Sequence, residues 1–257
     1  MKILQGNFGQ CFFCDNMDEN YGLPILPPKS WDLCLTDPPY NLDYDGSIQI
    51  NKNMDKKIFY NDTVKNYEDF SKKWFKLTME KVKTLIFTPG NKNIFLWGKI
   101  ELPIDYAFNY KVNCCSRSSL FRFYRGEPIL FYGKFRHQLD YYSNVFENYI
   151  DNGFLDTSKF IHPSPKSLKL WKELIIRTKP TSVIDPFLGS GTTAQVCEHL
   201  GIPWLGYEIM EEYAPDIEKR IKKGIVEHSR YNPPKKRSQL SLESFQETIH
   251  TVSNDRR

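Results

Sequence analysis

No stretch of this sequence is long and apolar enough to span a bilayer, and no basic leader with a short apolar core opens it. The expected location is therefore the cytoplasm, with cysteines kept reduced and no membrane partner. A zinc pattern is missing as well. Six cysteines stand at 11, 14, 34, 114, 115 and 197, and Cys11 and Cys14 form a Cys-x-x-Cys, but no second Cys or His pair follows at a ligand spacing. These read as free thiols, and no metal site is expected. Neither sign of charge dominates: 35 Lys and Arg against 31 Asp and Glu leave a net charge of +4. That mild excess permits contact with nucleic acid without requiring it. No internal repeat is visible.

What is present suits one large α/β domain, or a core with a small appendage. The chain has 257 residues, 40% of them hydrophobic and 26% charged, enough to bury a core without disulfide or metal staples. Residues 30–36 read as a buried strand running into Asp37-Pro38-Pro39-Tyr40, where two prolines turn the chain out of the sheet. Residues 41–65 are polar and read as a mobile loop. Tyr67, Phe70, Trp74 and Leu77 give residues 66–83 a helical face. Residues 84–87 and 93–97 read as a strand broken at Pro89-Gly90, and residues 104–134 carry further strand-like segments. A helix is expected over 166–177, a strand over 181–185, a glycine turn over 186–191 and a helix to about 200. A strand over 203–208 and a helix bearing Tyr213, Ile217 and Ile221 follow. Strand alternating with helix implies a parallel sheet covered on both faces. Past residue 227 the tail is polar, with Pro233-Pro234-Lys235-Lys236-Arg237, and disorder is expected.

Two motifs carry chemistry. Asp185-Pro186-Phe187-Leu188-Gly189-Ser190-Gly191-Thr192-Thr193 follows a strand and opens a helix, as a nucleotide-binding turn must. Its glycines admit a tight turn and close approach of a ligand to backbone amides. No Lys follows the second glycine, so it is not a phosphate-binding Walker loop. A plain strand–helix turn is the alternative. One unit later Glu208 ends its strand where an acidic residue in a doubly wound fold accepts the hydroxyls of a ribose. The second motif is Asp37-Pro38-Pro39-Tyr40. The alternative here is a rigid turn with a satisfied carboxylate, but a chemical reading explains all four residues. An amine on an aromatic base is a weak nucleophile, because its lone pair is delocalised into the ring. The Asp37 carboxylate and the Pro38 carbonyl can each accept one N–H, freeing the lone pair for attack on an activated methyl group. The prolines fix those acceptors, and Tyr40 offers a face for an extruded base.

Asp-Pro-Pro-Tyr together with Phe-x-Gly-x-Gly resembles the S-adenosylmethionine (SAM)-dependent N6-adenine and N4-cytosine DNA methyltransferases. The order, with Asp-Pro-Pro-Tyr first, is similar to their permuted β group. The resemblance spans roughly residues 2–223 and implies a Rossmann-like, doubly wound, circularly permuted α/β sheet with a small target-recognition insertion. It divides the chain into a catalytic half (1–134), a recognition insertion (135–161), a SAM-binding half (162–227) and the polar tail (228–257). It implies catalytic roles for Asp37, Pro38, Pro39 and Tyr40. It implies SAM contacts from Asn7, Asp37, Lys166, Asp185, Phe187, Gly189, Gly191, Thr192 and Glu208. Within that set, His162-Pro163-Ser164-Pro165-Lys166 resembles the element that cups the methionine end of SAM, with Ser167 where the family usually has Pro. Gly6-Asn7 resembles a Gly-Asp pair that contacts the cofactor adenine. The segment from Glu127-Pro128 to Tyr132-Gly133-Lys134 reads as sheet framework.

Double-stranded DNA is the implied partner, with a cognate restriction enzyme as candidate companion and a monomer or homodimer as the state. Tyr141 and Tyr142 are candidates for base contact or for packing. Arg117, Arg122 and Arg125, and the cluster Lys219, Arg220, Lys222, Lys223, Arg230, Lys235, Lys236 and Arg237, are candidates for phosphate contact or for a solvated face. No Pro-Cys dipeptide occurs, which argues against a C5-cytosine enzyme and its thiolate. Adenine N6 is the expected target, since Asp-Pro-Pro-Tyr goes more often with adenine and Ser-Pro-Pro-Tyr with cytosine. N4 of cytosine, an RNA base and a protein glutamine are the alternatives. A catalytically silent SAM- or DNA-binding module is opposed by the intact Asp37 and glycine loop.

Overall fold

A computed structural model describes residues 1–41, 64–110, 124–136, 138–139, 143–147, 161–162 and 164–223. Expectations for the loop after residue 41, for Arg117, Arg122, Tyr141 and Tyr142, and for the tail lie outside the described residues.

The described strands form one sheet in the order β1-β2-β9-β8-β3-β4-β6-β5-β7. Its centre is parallel: β2 (Gly9–Phe13), β9 (Trp204–Tyr207), β8 (Val183–Asp185), β3 (Trp31–Thr36) and β4 (Val82–Phe87) run the same way. Its flanks are not. β1 (Lys2–Gln5) is antiparallel to β2, and β6 (Gly126–Gly133) is antiparallel to both β4 and β5 (Asp105–Tyr110). The expected all-parallel sheet is thus a parallel centre with mixed edges, because short hairpin-like returns need no covering helix. β7 (Val145–Glu147) pairs with β5, so part of the expected irregular insertion belongs to the sheet.

Alternate residues of the central strands feed two cores. Leu33, Leu35 and Val183 face Trp171 and Leu174 of α3 (Leu168–Thr178), Val196 of α4 (Thr192–Leu200) and Ile217 of α5 (Ala214–Lys223). Cys34 and Ile184 face Trp74 of α1 (Tyr67–Lys81) and Trp97 of α2 (Ile94–Ile100). Period-two alternation with apolar residues at every position is what a sheet buried on both faces needs. Each fully buried Leu or Ile contributes about 1.5–3 kcal/mol relative to exposure.

The 94–100 segment corrects the sequence expectation. Ile94-Phe95-Leu96-Trp97 reads as a strand, but the segment is helical, and only its Trp97 is fully buried, with Ile100 packed partly against the same core. Ser167, in the place of the family's usual Pro, caps α3 by accepting from the amide of Leu170 at 3.3 Å.

From β3 the chain passes through α1 to β4, on one side of the sheet. From β8 it passes through α4 to β9, on the other. β3 and β8 are hydrogen-bonded neighbours, so the connections diverge between them. A crevice opens at the carboxyl ends of such a pair.

Candidate active site

Both motifs open into that crevice. The pocket there is lined by Asp37 and Pro39 from the end of β3, Pro186, Phe187 and Gly189 from the loop after β8, and Glu208 to Met210 after β9. Cys14, Asp15 and Asn16 join from the end of β2, with Phe70 of α1, His162, Tyr207 and Tyr213. Several of these are aromatic or apolar; the acidic ones are Asp15, Asp37 and Glu208. Among the described residues, no Lys or Arg lines the pocket.

Asp185, at the end of β8, ties the two motifs together without lining the pocket. Its carboxylate accepts from Thr36 Oγ1 at 2.6 Å, from Thr193 Oγ1 at 2.5 Å and from the Phe187 amide at 3.0 Å. Burial pushes its pKa up to about 6 despite these donors. Its place is structural: it locks the end of β3 to the glycine loop. Gly191 and Thr192 likewise stand behind the pocket. Gly191 has φ of 84°, and a side chain there would meet the Ile217 Cα at 3.1 Å. Thr192 Oγ1 lies 3.4 Å from the carbonyl of Lys166.

Glu208 is buried, and its oxygens accept from the amides of Gly189 and Met210, both at 2.8 Å. Burial pushes its pKa up to about 7 against those bonds, helped by the charge of Asp185. His162 packs against the ring of Tyr213 at 4.7 Å, and its backbone amide is held at 2.8 Å by Asp216 of α5. Burial, then the charges of Arg220 and Lys166, lower its pKa to about 3, so it is neutral.

At Asp37 three donors converge on one oxygen. Tyr40 Oη lies 2.5 Å from Oδ1, Lys166 Nζ lies 2.9 Å from it, and Thr88 Oγ1, just past β4, also donates to it. Oδ2 receives no hydrogen bond from any described residue, and neither does the Pro38 carbonyl. The turn itself is pinned: the Pro39 carbonyl accepts from Tyr67 Oη at 2.8 Å and the Tyr40 carbonyl from Asn93 Nδ2 at 2.8 Å. Gly90, at φ 72°, passes so close to the Tyr40 ring that a Cβ would lie 2.8 Å from its Cγ.

Several residues fall elsewhere than the sequence suggests. Asn7 sits before β2, at the opposite end of the parallel strands, where its amide donates to Glu198 at 3.0 Å. Cys14-Asp15, after β2, is the pair that lines the pocket. Lys166 is not among the lining residues, and its ammonium meets Asp37 at 2.9 Å and Glu127 at 2.6 Å. Glu127, which reads as framework, lies 2.6 Å from Lys166 Nζ and 3.3 Å from Tyr40 Oη. Arg220 is buried and donates to Gln195 at 2.9 Å, so it offers nothing to a phosphate. Arg125 remains exposed.

Comparison with known proteins agrees with this geometry. The family model for N6/N4 DNA methylases matches residues 133–219. The Type II methyltransferase M.HpaI of Haemophilus parainfluenzae is 28% identical over 82% of this chain and 74% of its own length. M2.LlaDCHI of Lactococcus lactis is 26% identical over 79% and 87%. Among solved structures, the PvuII DNA methyltransferase (cytosine-N4-specific) superposes with a TM-score of 0.61 at 17% identity, covering 97% of this chain and 94% of that one. The M1.HpyAVI–SAM complex superposes at 0.55 and 20% identity, covering 83% and 99%. The chain is thus similar to N6/N4 DNA methylases over residues 133–219 and to Type II methyltransferases over most of its length.

Proposed function

We propose that this protein transfers a methyl group from SAM to the N6 amine of an adenine that has been rotated out of double-stranded DNA. The observation that carries the proposal is the anchoring of the pocket-lining Asp37 through Oδ1, which leaves its Oδ2, like the carbonyl of the next residue Pro38, without a donor among the described residues. Two acceptors are what an NH2 group requires if its lone pair is to be turned out of the ring. Tyr40, fixed at its hydroxyl and backed by Gly90, supplies the ring face for the base.

The pocket residues fit SAM. A cationic ligand suits a lining with three carboxylates and no Lys or Arg, whereas a phosphate-bearing dinucleotide does not. Glu208 would accept the ribose hydroxyls, Phe187, Tyr207 and Ile209 would pack the adenine, and Gly189 would allow close approach of the chain. When bound, SAM supplies a methyl group activated on a sulfonium. The protein would hold the amine in line with it, replace its hydrogen bonds to water with bonds to the Asp37 carboxylate and the Pro38 carbonyl, and take up the one proton that leaves as the N–C bond forms. The buried Asp185 keeps the two acceptor-bearing loops in register.

The choice of adenine rests on Asp37 at the head of the tetrapeptide. The Type II naming of the relatives supports a restriction enzyme as companion. The test is mass spectrometry of nucleosides from DNA incubated with protein and labelled SAM. N6-methyladenine is the expected product. N4-methylcytosine would overturn the base assignment, and label only in RNA or protein would overturn DNA as substrate.

A further inference from the structure

Lys166 and Glu127 have no part in the chemistry described so far, yet their side chains are only 12% and 13% exposed and meet at 2.6 Å beside Asp37. Lys166 is held from behind. Its carbonyl lies against Thr192, and the next residue caps α3. Its ammonium therefore enters the site from a fixed base and touches three groups: Asp37 Oδ1 at 2.9 Å, Glu127 Oε1 at 2.6 Å and Tyr40 Oη at 2.8 Å. Among the described residues, the titratable and charged groups around Asp37 are Lys166, Glu127 from β6, Tyr40 on its own turn, and Asp185 at the end of β8.

Two carboxylates that reach the same ammonium and the same phenol repel each other. Without a cation between them, one takes up a proton and the two share it. A proton shared with Asp37 would turn the acceptor into a donor and remove the free oxygen that the target amine needs. We propose that Lys166 is a positioning residue that keeps Asp37 and Glu127 ionised together and holds Asp37 with Oδ2 towards the amine. Glu127 in turn anchors the ammonium, so that the cation stays on Oδ1. The proposal rests on Asp37 being the amine acceptor. The carboxylates outweigh the burial of Lys166 and hold its ammonium above the ordinary lysine range, so it remains charged at any working pH.

The test compares wild type, Lys166→Met and the double variant Lys166→Met/Glu127→Gln, with SAM affinity measured separately by calorimetry. Lys166→Met should lower kcat on the order of 100-fold at neutral pH, with SAM affinity unchanged. Its kcat relative to wild type should climb as the pH rises from about 6 to about 9, as the shared proton leaves. Removing the second carboxylate should recover at least about tenfold of the loss, because Asp37 is then the lone anion. In the SAM-free variant, carboxyl 13C resonances should show one group of the pair titrating near neutrality, and in wild type none. A kcat ratio flat with pH, or a double variant no better than the single, would overturn the proposal. Loss of SAM affinity in Lys166→Met would assign the ammonium to the cofactor and overturn it too. Absence of methyl transfer by wild type itself would instead strike the reading of Asp37 on which it rests.

Discussion

The carboxylate of Glu208, pressed between two backbone amides and pushed up to about 7 by burial, changes charge near neutral pH. Ionised, it can accept both hydroxyls of a ribose; protonated, it becomes a donor on one side. Lowering the pH through about 7 should therefore weaken SAM binding, by up to about tenfold per unit. Glu208→Ala should weaken it by about tenfold or more at pH 8 and remove the pH dependence. Calorimetric titration across pH checks both, and an unchanged affinity would remove Glu208 from the cofactor site. The sign reverses for the cofactor-free fold. A carboxyl raised from its ordinary value of 4.5 to about 7 contributes stability that is full below 4.5 and is lost as the pH rises through 7. The placement of Asp37, Tyr40, Phe187 and Gly189 was legible in the sequence because they lie in contiguous motifs after a strand, and that of Glu208 because it ends the next strand. Glu127 and the direction of Lys166 were not. Both depend on an antiparallel strand, β6, arriving beside β4, and no local spacing encodes that pairing.

Among the secondary-structure elements, glycine substitutions separate required turns from tolerated ones. Gly191→Ala forces a side chain to φ 84° and towards the backbone of α5, and should destabilise the protein by about 1–3 kcal/mol. Gly98→Ala, inside α2 with nothing within 4 Å of the added Cβ, should be neutral or stabilise by up to about 1 kcal/mol. Thermal melts of the two variants measure the contrast; equal shifts would mean that the glycine turn is not under the constraint its geometry indicates. Helices α1 and α3 were legible because Phe70, Trp74 and Leu77, and then Trp171, Leu174 and Ile175, repeat at helical spacing over long segments. α2 was not, because four consecutive apolar residues have no period. The β1–β2 hairpin was hidden by its exposed first strand and by Gly9-Gln10 at the start of the second.

For the molecule as a whole, the proposed reaction requires the base to leave the duplex, at a cost of a few kcal/mol. A mismatch at the target lowers that cost, so mismatched DNA should bind more tightly than matched DNA. A 2-aminopurine at the target should brighten on binding unless the Tyr40 ring quenches it, in which case Tyr40→Ala should restore the signal and reduce activity. Equal affinities with no fluorescence change in either protein would count against base extrusion and favour a single-stranded substrate. The acceptor loop comes from β3 and the glycine loop from β8, which neighbour each other in space though about 150 residues separate them in sequence.

The proposed reaction rests on one assignment, Asp37 as acceptor for the target amine, and Asp37→Ala tests it most directly when methyl transfer to DNA and SAM affinity are measured on the same preparation. The expected result is loss of transfer by about 1,000-fold or more with SAM affinity changed by less than about threefold. Loss of SAM binding together with transfer, or transfer that survives the substitution, would contradict the account.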